Sequence, residues 1–428
     1  MNIAIVGYGI EGRASFAYWK KKGDNVTIID QKRSITGIPS DARTILGKEA
    51  LKNLGEFDIV IRTPQMNPNL LGEAKKVWSA TNEFFQHCPA PIIGVTGTKG
   101  KGTTCSLIAA ILEQAGKTVH LLGNIGRPAL GVLPSINSRD IVIFELSSFQ
   151  LWDLERSPHI ATVLMIDNDH LDVHADMDDY VLAKSNIARY QNENDVVVYH
   201  PTNKLSKQIA DSSPARKVRY MSDEGAHIKN DEIIIDEQNI CPVDDIKLIG
   251  KHNVENVCAA VTAAWRYSKD TAAIRKAIQQ FSGLPHRLEF VRSVKGVDYY
   301  NDSYSSTPAA TIAAISTFEQ SITLVVGGQD KHGDFHKLAE QISQHQNVAH
   351  VVIYGAVRHK IKNALRSIDS ATVEVIDSIS LGDIVATAQK VSLPGSVVIF
   401  SPGASSFDMF KNFNDRGEQF KDVVEALS

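Results

Sequence analysis

The densest chemical signal in the chain is the run Thr96-Gly97-Thr98-Lys99-Gly100-Lys101-Gly102-Thr103-Thr104. It follows an apolar stretch at 92–95 and leads into a helical pattern at 105–114. Glycines between a strand and a helix let backbone N–H groups converge on phosphate oxygens, and the helix N-terminus favours their charge. In such a loop a lysine, here Lys101, reaches the β- and γ-phosphates, and a threonine hydroxyl sits on Mg2+. The spacing departs from the usual one, because Val95 stands at the first glycine position and Gly102 separates Lys101 from Thr103. The bland alternative is a flexible strand–helix turn that holds no ligand.

Further residues could complete such a site. Glu145 closes an apolar run at 141–144, where a buried carboxylate is either a hard oxygen ligand for Mg2+ or a cap at a helix start. The stretch Asp167-Asn168-Asp169-His170-Leu171-Asp172-Val173-His174 has HxxxH spacing, but no glutamate follows the first histidine and no third soft ligand is near. A zinc hydrolase is therefore disfavoured against a polar loop. Near the start, Gly7-Tyr8-Gly9-Ile10-Glu11-Gly12 with Asp30 after the next apolar run fits a dinucleotide fingerprint. An NAD-linked dehydrogenase or sensor would account for it but would leave the central glycine loop unexplained.

The elements that must hold these residues read as three α/β blocks. A chain of 428 residues exceeds one ordinary core, and 43% hydrophobic with 22% charged residues suits a globular enzyme. Short buried strands are expected at 2–7, 26–29 and 58–61, then a proline-containing linker at 86–91. Further strands are expected at 92–95, 119–122, 141–144 and 160–165, followed by a small strand excursion within 195–248. A junction at 282–285 precedes strands at 322–326, 351–354, 372–376 and 397–400. The expected domains are 1–88, 89–284 and 285–428: Rossmann-like, P-loop ATPase-like and Rossmann-like. The net charge of −4 has no basic block, which argues against nucleic acid. Four cysteines without metal-type spacing suit a reducing cytoplasm. No apolar run is long enough to span a bilayer, and the N-terminus lacks the pattern of a signal peptide.

The Thr-Gly-Thr-x-Gly-Lys loop resembles the ATP loop of the Mur ligases and of folylpolyglutamate synthase. Its Lys101-Gly102-Thr103 spacing looks more like the folate enzyme, whereas Glu145-Leu146-Ser147-Ser148-Phe149-Gln150-Leu151 is very similar to a signature of the D-glutamate-adding Mur ligases. Asp169-His170-Leu171-Asp172-Val173-His174 and Tyr180-Val181-Leu182-Ala183-Lys184-Ser185-Asn186-Ile187 match two more segments of that family. Gly123-Asn124-Ile125-Gly126-Arg127-Pro128, His252-Asn253-Val254-Glu255-Asn256, His286-Arg287-Leu288-Glu289, Asn301-Asp302-Ser303, Gly327 to Asp334 and Ser401 to Asp408 follow in the family's order, so the resemblance runs from about Gly7 to Phe413.

That resemblance implies an ATP-dependent ligase that activates a carboxylate as an acyl-phosphate and joins it to an amine. Gly97, Thr98, Lys99, Gly100, Lys101, Gly102, Thr103, Thr104, Asn256, Arg287 and Asp302 would contact ATP. Two Mg2+ ions are implied, one on Thr103 and Glu145, the other near His170 and a carbamylated Lys184. Lys101, Lys184 and His170 would be catalytic. Gly9, Ile10, Asp30, Arg33, Asn124 and Ser147 would bind a UDP-sugar-peptide acceptor, and Lys331, Ser406, Phe407 and Phe413 would take D-glutamate. A monomer in the cytoplasm, without membrane insertion, is implied. Gln65 and Tyr304 depart from the family's usual glycine and lysine. The open alternatives are a folylpolyglutamate synthase-like ligase and a nucleotide-binding regulator without ligase activity.

Overall fold

Apolar strands covered by helices organise most of the chain. The computed structural model describes residues 1–171, 173–330, 333–367, 374–377 and 380–428. The first strands are β1 (Asn2–Val6), β2 (Asn25–Asp30), β3 (Arg43–Leu46), β4 (Ile59–Arg62) and β5 (Val77–Ser79). They form one parallel sheet in the order β3-β2-β1-β4-β5. Its centre is dry: Ile3, Ala4 and Ile5 of β1 and Ile28 and Ile29 of β2 are fully buried, as expected of parallel strands covered on both faces.

A second parallel sheet contains β6 (Ile92–Thr96), β7 (Val119–Gly123), β8 (Ile141–Glu145), β9 (Ile160–Val163), β10 (Val196–Tyr199) and β11 (Arg216–Arg219). Their order is β11-β10-β9-β6-β8-β7. The chain leaves β6 toward β7 on one side and later returns to β9 on the other. Such a switch in direction opens a crevice at the C-terminal strand ends. The glycine loop leaves β6 there, and Glu145 is the last residue of the neighbouring β8.

The expected excursion divides in two. Strands β10 and β11 join the main sheet, while β12 (His227–Lys229), β13 (Glu232–Ile235) and β14 (Gln238–Pro242) form a separate antiparallel sheet. The last sheet, β15-β16-β20-β17-β18-β19, comprises β15 (Glu289–Val294), β16 (Val297–Asn301), β17 (Ile322–Gly327), β18 (Val348–Tyr354), β19 (Glu374–Asp377) and β20 (Val397–Gly403). Only β15 and β16 pair antiparallel in it. Residues 372 and 373 of the expected strand at 372–376 lie outside the described residues. The helix after the glycine loop starts at Lys101 rather than at 105, which places Gly102, Thr103 and Thr104 in its first turn. Among the described residues no helix is long and apolar enough to cross a membrane.

The chain forms two compact units. One is Met1–Ile246 with His252–Phe281; the other is Lys247–Lys251 with Ser282–Ser428. The first unit thus contains two large sheets in one packed body. Phe84 and Phe85, from the helix Ala80–His87, pack their rings on Phe144 of β8. Arg62 at the end of β4 has a fully buried side chain; its Nε donates to Asp153 Oδ2 at 2.6 Å and its guanidinium also pairs with Asp153 Oδ1. The same guanidinium donates to the carbonyls of Phe149 at 2.9 Å and Pro64 at 3.1 Å. Removing one partner of a buried pair strands the other and costs about 3–5 kcal/mol. Asp153→Ala, which strands the fully buried Arg62 guanidinium, should therefore destabilise this unit by about that much in chemical denaturation, and Arg62→Ala, which leaves a partly exposed carboxylate, by less. A loss under about 1 kcal/mol in Asp153→Ala would contradict this role.

Candidate functional site

The glycine loop is shaped by close approaches that admit no side chain. Gly100 caps the helix Lys101–Gln114 with φ of 82°, and a Cβ there would lie 2.3 Å from Asn256 Oδ1. The Thr104 hydroxyl, fully buried, faces the same oxygen at 3.5 Å, and the Asn256 amide donates to Asn253 Oδ1 at 2.9 Å. Asn256 therefore packs behind the loop and supports it. With Thr104 turned inward, the half-buried Thr103 is the first-turn hydroxyl left nearer solvent, while Lys99 is exposed at the loop tip. Lys101 Nζ donates across the loop to the carbonyls of Gly97 at 3.1 Å and Thr98 at 3.0 Å.

Thr98 ties this loop to the acidic segment after β9. Its hydroxyl donates to the Asp167 carbonyl and accepts from the Asp167 N–H, both at 2.9 Å, and lies 3.1 Å from the Tyr180 hydroxyl. His170 sits on that segment with φ of 54°, about half exposed, its ring 4.8 Å from that of Phe149. His174, in contrast, is buried, with Nδ1 on Asp179 at 2.8 Å and Nε2 on the Ser148 hydroxyl at 3.0 Å. Both its ring nitrogens are engaged, so the HxxxH pair does not point at one ion. Asp172 lies outside the described residues.

Lys184 comes from the helix Met177–Arg189 and ends in the interior, 1% exposed. Its Nζ donates to Thr96 Oγ1 at 3.2 Å and to the Gly97 carbonyl at 3.0 Å, and it lies 4.7 Å from the Tyr180 ring centre. Burial, reinforced by the neighbouring Lys101 charge, holds its amine well below the usual lysine range. Glu145, 2% exposed, accepts from Asn124 Nδ2 at 3.1 Å through Oε1. Its Oε2 is buried without a hydrogen-bond partner. A buried carboxylate oxygen left unpaired at a strand end, beside a phosphate-type loop, fits a hard cation such as Mg2+.

The N-terminal fingerprint keeps the packing that its glycines predict. A Cβ on Gly12 would meet the Gly7 carbonyl at 2.0 Å, whereas one on Gly9 would meet nothing within 4 Å. Ile10 beside it is 76% exposed, and Arg33 is exposed just beyond β2. The Asp30 carboxylate accepts from the Tyr8 and Lys32 N–H groups at 3.2 and 3.0 Å. Glu11 is pushed up to about 6, chiefly by burial against the opposing pull of Arg62. Ser147 is engaged in a capping box with Gln150 at the head of a short helix, and Gln65 is exposed.

In the second unit, Asp302 is buried, accepts from Ser401 Oγ at 2.7 Å and from the Leu288 N–H at 3.2 Å, and is raised to about 6 by burial. Arg287 lies over the Tyr304 ring, 3.9 Å from its centre. Ser406 is buried at 3% exposure, Phe407 is 60% exposed, and Phe413 opens the helix Phe413–Glu425. Lys331 lies outside the described residues. Sequence reasoning gave no role to Tyr180, although its i,i+4 spacing to Lys184 places both on one helix face. It also missed Arg62 and Asp153, whose pairing across 91 positions leaves no local signal.

Comparison with known proteins agrees with this geometry. Residues 95–264 match the Mur ligase middle domain and residues 286–403 the Mur ligase glutamate ligase domain. The chain is 37% identical to the UDP-N-acetylmuramoylalanine–D-glutamate ligase of Clostridium kluyveri and 35% identical to the enzyme of that name from Clostridium tetani. Each alignment covers 100% of this chain and 97% of the relative. A crystal structure of MurF ligase from Thermotoga maritima in complex with ADP shares the fold, with a TM-score of 0.61 at 17% identity over 99% of this chain and 95% of that one. The chain, with three α/β sheets in series and the glycine loop on the middle one, belongs to the Mur ligase family of ADP-forming ligases.

Proposed function

We propose that the chain joins D-glutamate to UDP-N-acetylmuramoyl-L-alanine during peptidoglycan synthesis, as a monomer in the cytoplasm. The observation that carries this reading is the unpaired, buried Glu145 oxygen at the edge where the Lys101 loop and the buried Lys184 head converge. A redox dinucleotide site needs no such gathering of ionisable groups around a glycine loop; transfer of a phosphoryl group does.

The acceptor carboxylate attacks the γ-phosphorus of ATP, ADP leaves, and the resulting acyl-phosphate is attacked by the D-glutamate amine with loss of phosphate. Lys101 would leave its loop carbonyls to meet the crowded phosphate oxygens, and loop N–H groups from Gly97 to Thr104 would hold the rest of the chain of phosphates. Asn256 would keep the loop in shape, and Arg287 and Asp302 of the second unit would contact the nucleotide. Bound Mg2+ supplies charge neutralisation at the phosphates. Glu145 and Thr103 would hold one ion, and His170 with a carbamylated Lys184 a second. Gly9, Ile10, Asp30 and Arg33 would bind the UDP portion and Asn124 the acceptor, while keeping its bond to Glu145. Ser147 would contribute through its position, since its hydroxyl already serves the capping box. Lys331, Ser406, Phe407 and Phe413 would form the amino-acid pocket. The domains would be 1–88, 89–284 and 285–428.

The Lys101-Gly102-Thr103 spacing favours a folate acceptor as a second reading. Phosphate release assayed with both acceptors separates the two. Release that requires UDP-N-acetylmuramoyl-L-alanine together with D-glutamate is the expected result, with L-glutamate poorer. Lys331→Ala should raise the D-glutamate KM while leaving ATP binding intact. A preference for L-glutamate, or for a folate acceptor, would refute the assignment.

Lys101→Ala and Glu145→Ala should each lower kcat by at least about a hundredfold, because each removes charge stabilisation where phosphate charge develops. Near-normal turnover in both would remove this loop from the mechanism.

For Lys184 the expected modification is a carbamate formed from CO2, which turns a cation into two hard oxygen donors. Carbamylation needs a neutral amine, and burial favours that form of Lys184. Because burial holds the amine below the usual lysine range, less of it is lost to protonation than for a free lysine, but protonation still competes with the adduct, which should be lost as pH falls. Activity should drop in CO2-depleted buffer and return with bicarbonate. Lys184→Ala should be nearly inactive and partly rescued by acetate, whereas Lys184→Arg should not work, since the guanidinium stays charged. Full activity in Lys184→Ala would exclude the residue from the reaction.

A further inference from the structure

Tyr304 stands out because a large ring, 44% exposed, contributes little to a core yet touches two residues given different ligands above. Arg287 lies in a turn whose neighbours His286 and Leu288 both have positive φ, at 63° and 44°. That turn is fastened to the Tyr304 segment: the Tyr304 N–H donates to the His286 carbonyl at 2.9 Å, and the Leu288 N–H to Asp302 Oδ1 at 3.2 Å. The backbone thus brings Arg287 beside residue 304, and the guanidinium takes the ring face at 3.9 Å from its centre. On the other side, Phe413 meets the same ring edge-on, at 5.2 Å and 90°. The Ser303 hydroxyl, next in the chain, donates to the Phe413 carbonyl at 2.8 Å, so ring and backbone contacts act together. His286 also meets Phe413 edge-on at 6.2 Å, which closes the group.

We infer that Tyr304 is a positioning residue that holds Arg287 and Phe413 as one unit, coupling the nucleotide contact of the second unit to its amino-acid pocket. This rests on the roles proposed above for those two residues. A guanidinium on an aromatic face keeps its charge available at the edge of the ring while losing the freedom of its long side chain. An aliphatic side chain at 304 would release it.

Kinetics of Tyr304 variants in the full chain test this. Tyr304→Leu should raise the KM for ATP and the KM for D-glutamate together, each about tenfold, with kcat less affected and the unfolding temperature unchanged. Tyr304→Phe should restore both, because the ring acts and not the hydroxyl. Tyr304→Gln, suited to an exposed site, replaces the leucine variant if that one aggregates. An unchanged KM for either substrate overturns the coupling, as does a lowered unfolding temperature with both KM values intact. Intact protein without ATP turnover on both co-substrates refutes the proposed function itself. Calorimetric titration with ADP then still reads the Arg287 contact, and equal affinities of wild type and Tyr304→Leu overturn the inference.

Discussion

Lys184 ends in the interior with the Thr96 hydroxyl and the Gly97 carbonyl as its hydrogen-bond acceptors, while Glu145 is buried with one oxygen unpaired. Placing an ion in such surroundings costs several kcal/mol unless it is paired or neutralised. The surrounding structure answers that cost locally. Burial shifts Lys184 toward its neutral form, Asn124 satisfies half of Glu145, and Thr98 stitches the loop to the Asp167 segment. What is left unsatisfied lies where a phosphate and its cations would complete the set. Two strands, β6 and β8, deliver these groups to one edge, and the sheet behind them is rigid because its strands are buried on both faces.

Closely packed glycines and buried asparagine then set the loop's shape. Gly100 has no room for a Cβ against Asn256, and Asn256 is held by Asn253 and Thr104. This packing fixes the loop's shape even with Gly102 after its lysine. The glycine is buried in the first helical turn, so the hydroxyl nearest solvent passes to Thr103. At the N-terminus a similar economy of space appears at Gly7 and Gly12, while Gly9 faces open space beside the exposed Ile10.

Much of this was legible in the residues, and what was not has physical reasons. Apolar runs located the buried parallel strands because such strands show no alternation to confuse. The helix start at Lys101 was misplaced by four residues, since Gly102 and two threonines are poor helix formers that the N-terminal turn tolerates when phosphate-binding N–H groups must point outward. Strands β10 and β11 read as part of a small excursion because β-branched composition does not say which sheet a strand joins. The capping box of Ser147 and the packing of Asn256 behind the loop depend on partners brought in by the fold, and they stand beside the ligand contacts expected of both residues. The Arg62–Asp153 pair and the stacking of Arg287 on Tyr304 are tertiary and had no local signature.

Activation of a carboxylate as an acyl-phosphate is the central claim, and oxygen transfer reports on it without reference to any single side chain. The acceptor is prepared with 18O in its reacting carboxylate, turnover is run with D-glutamate and ATP, and the released phosphate is analysed by mass spectrometry. One 18O atom per phosphate is the predicted result, because the oxygen that attacks the γ-phosphorus departs with it when the amine displaces phosphate. The second 18O should remain as the carbonyl oxygen of the product amide, and released phosphate free of 18O would contradict the account.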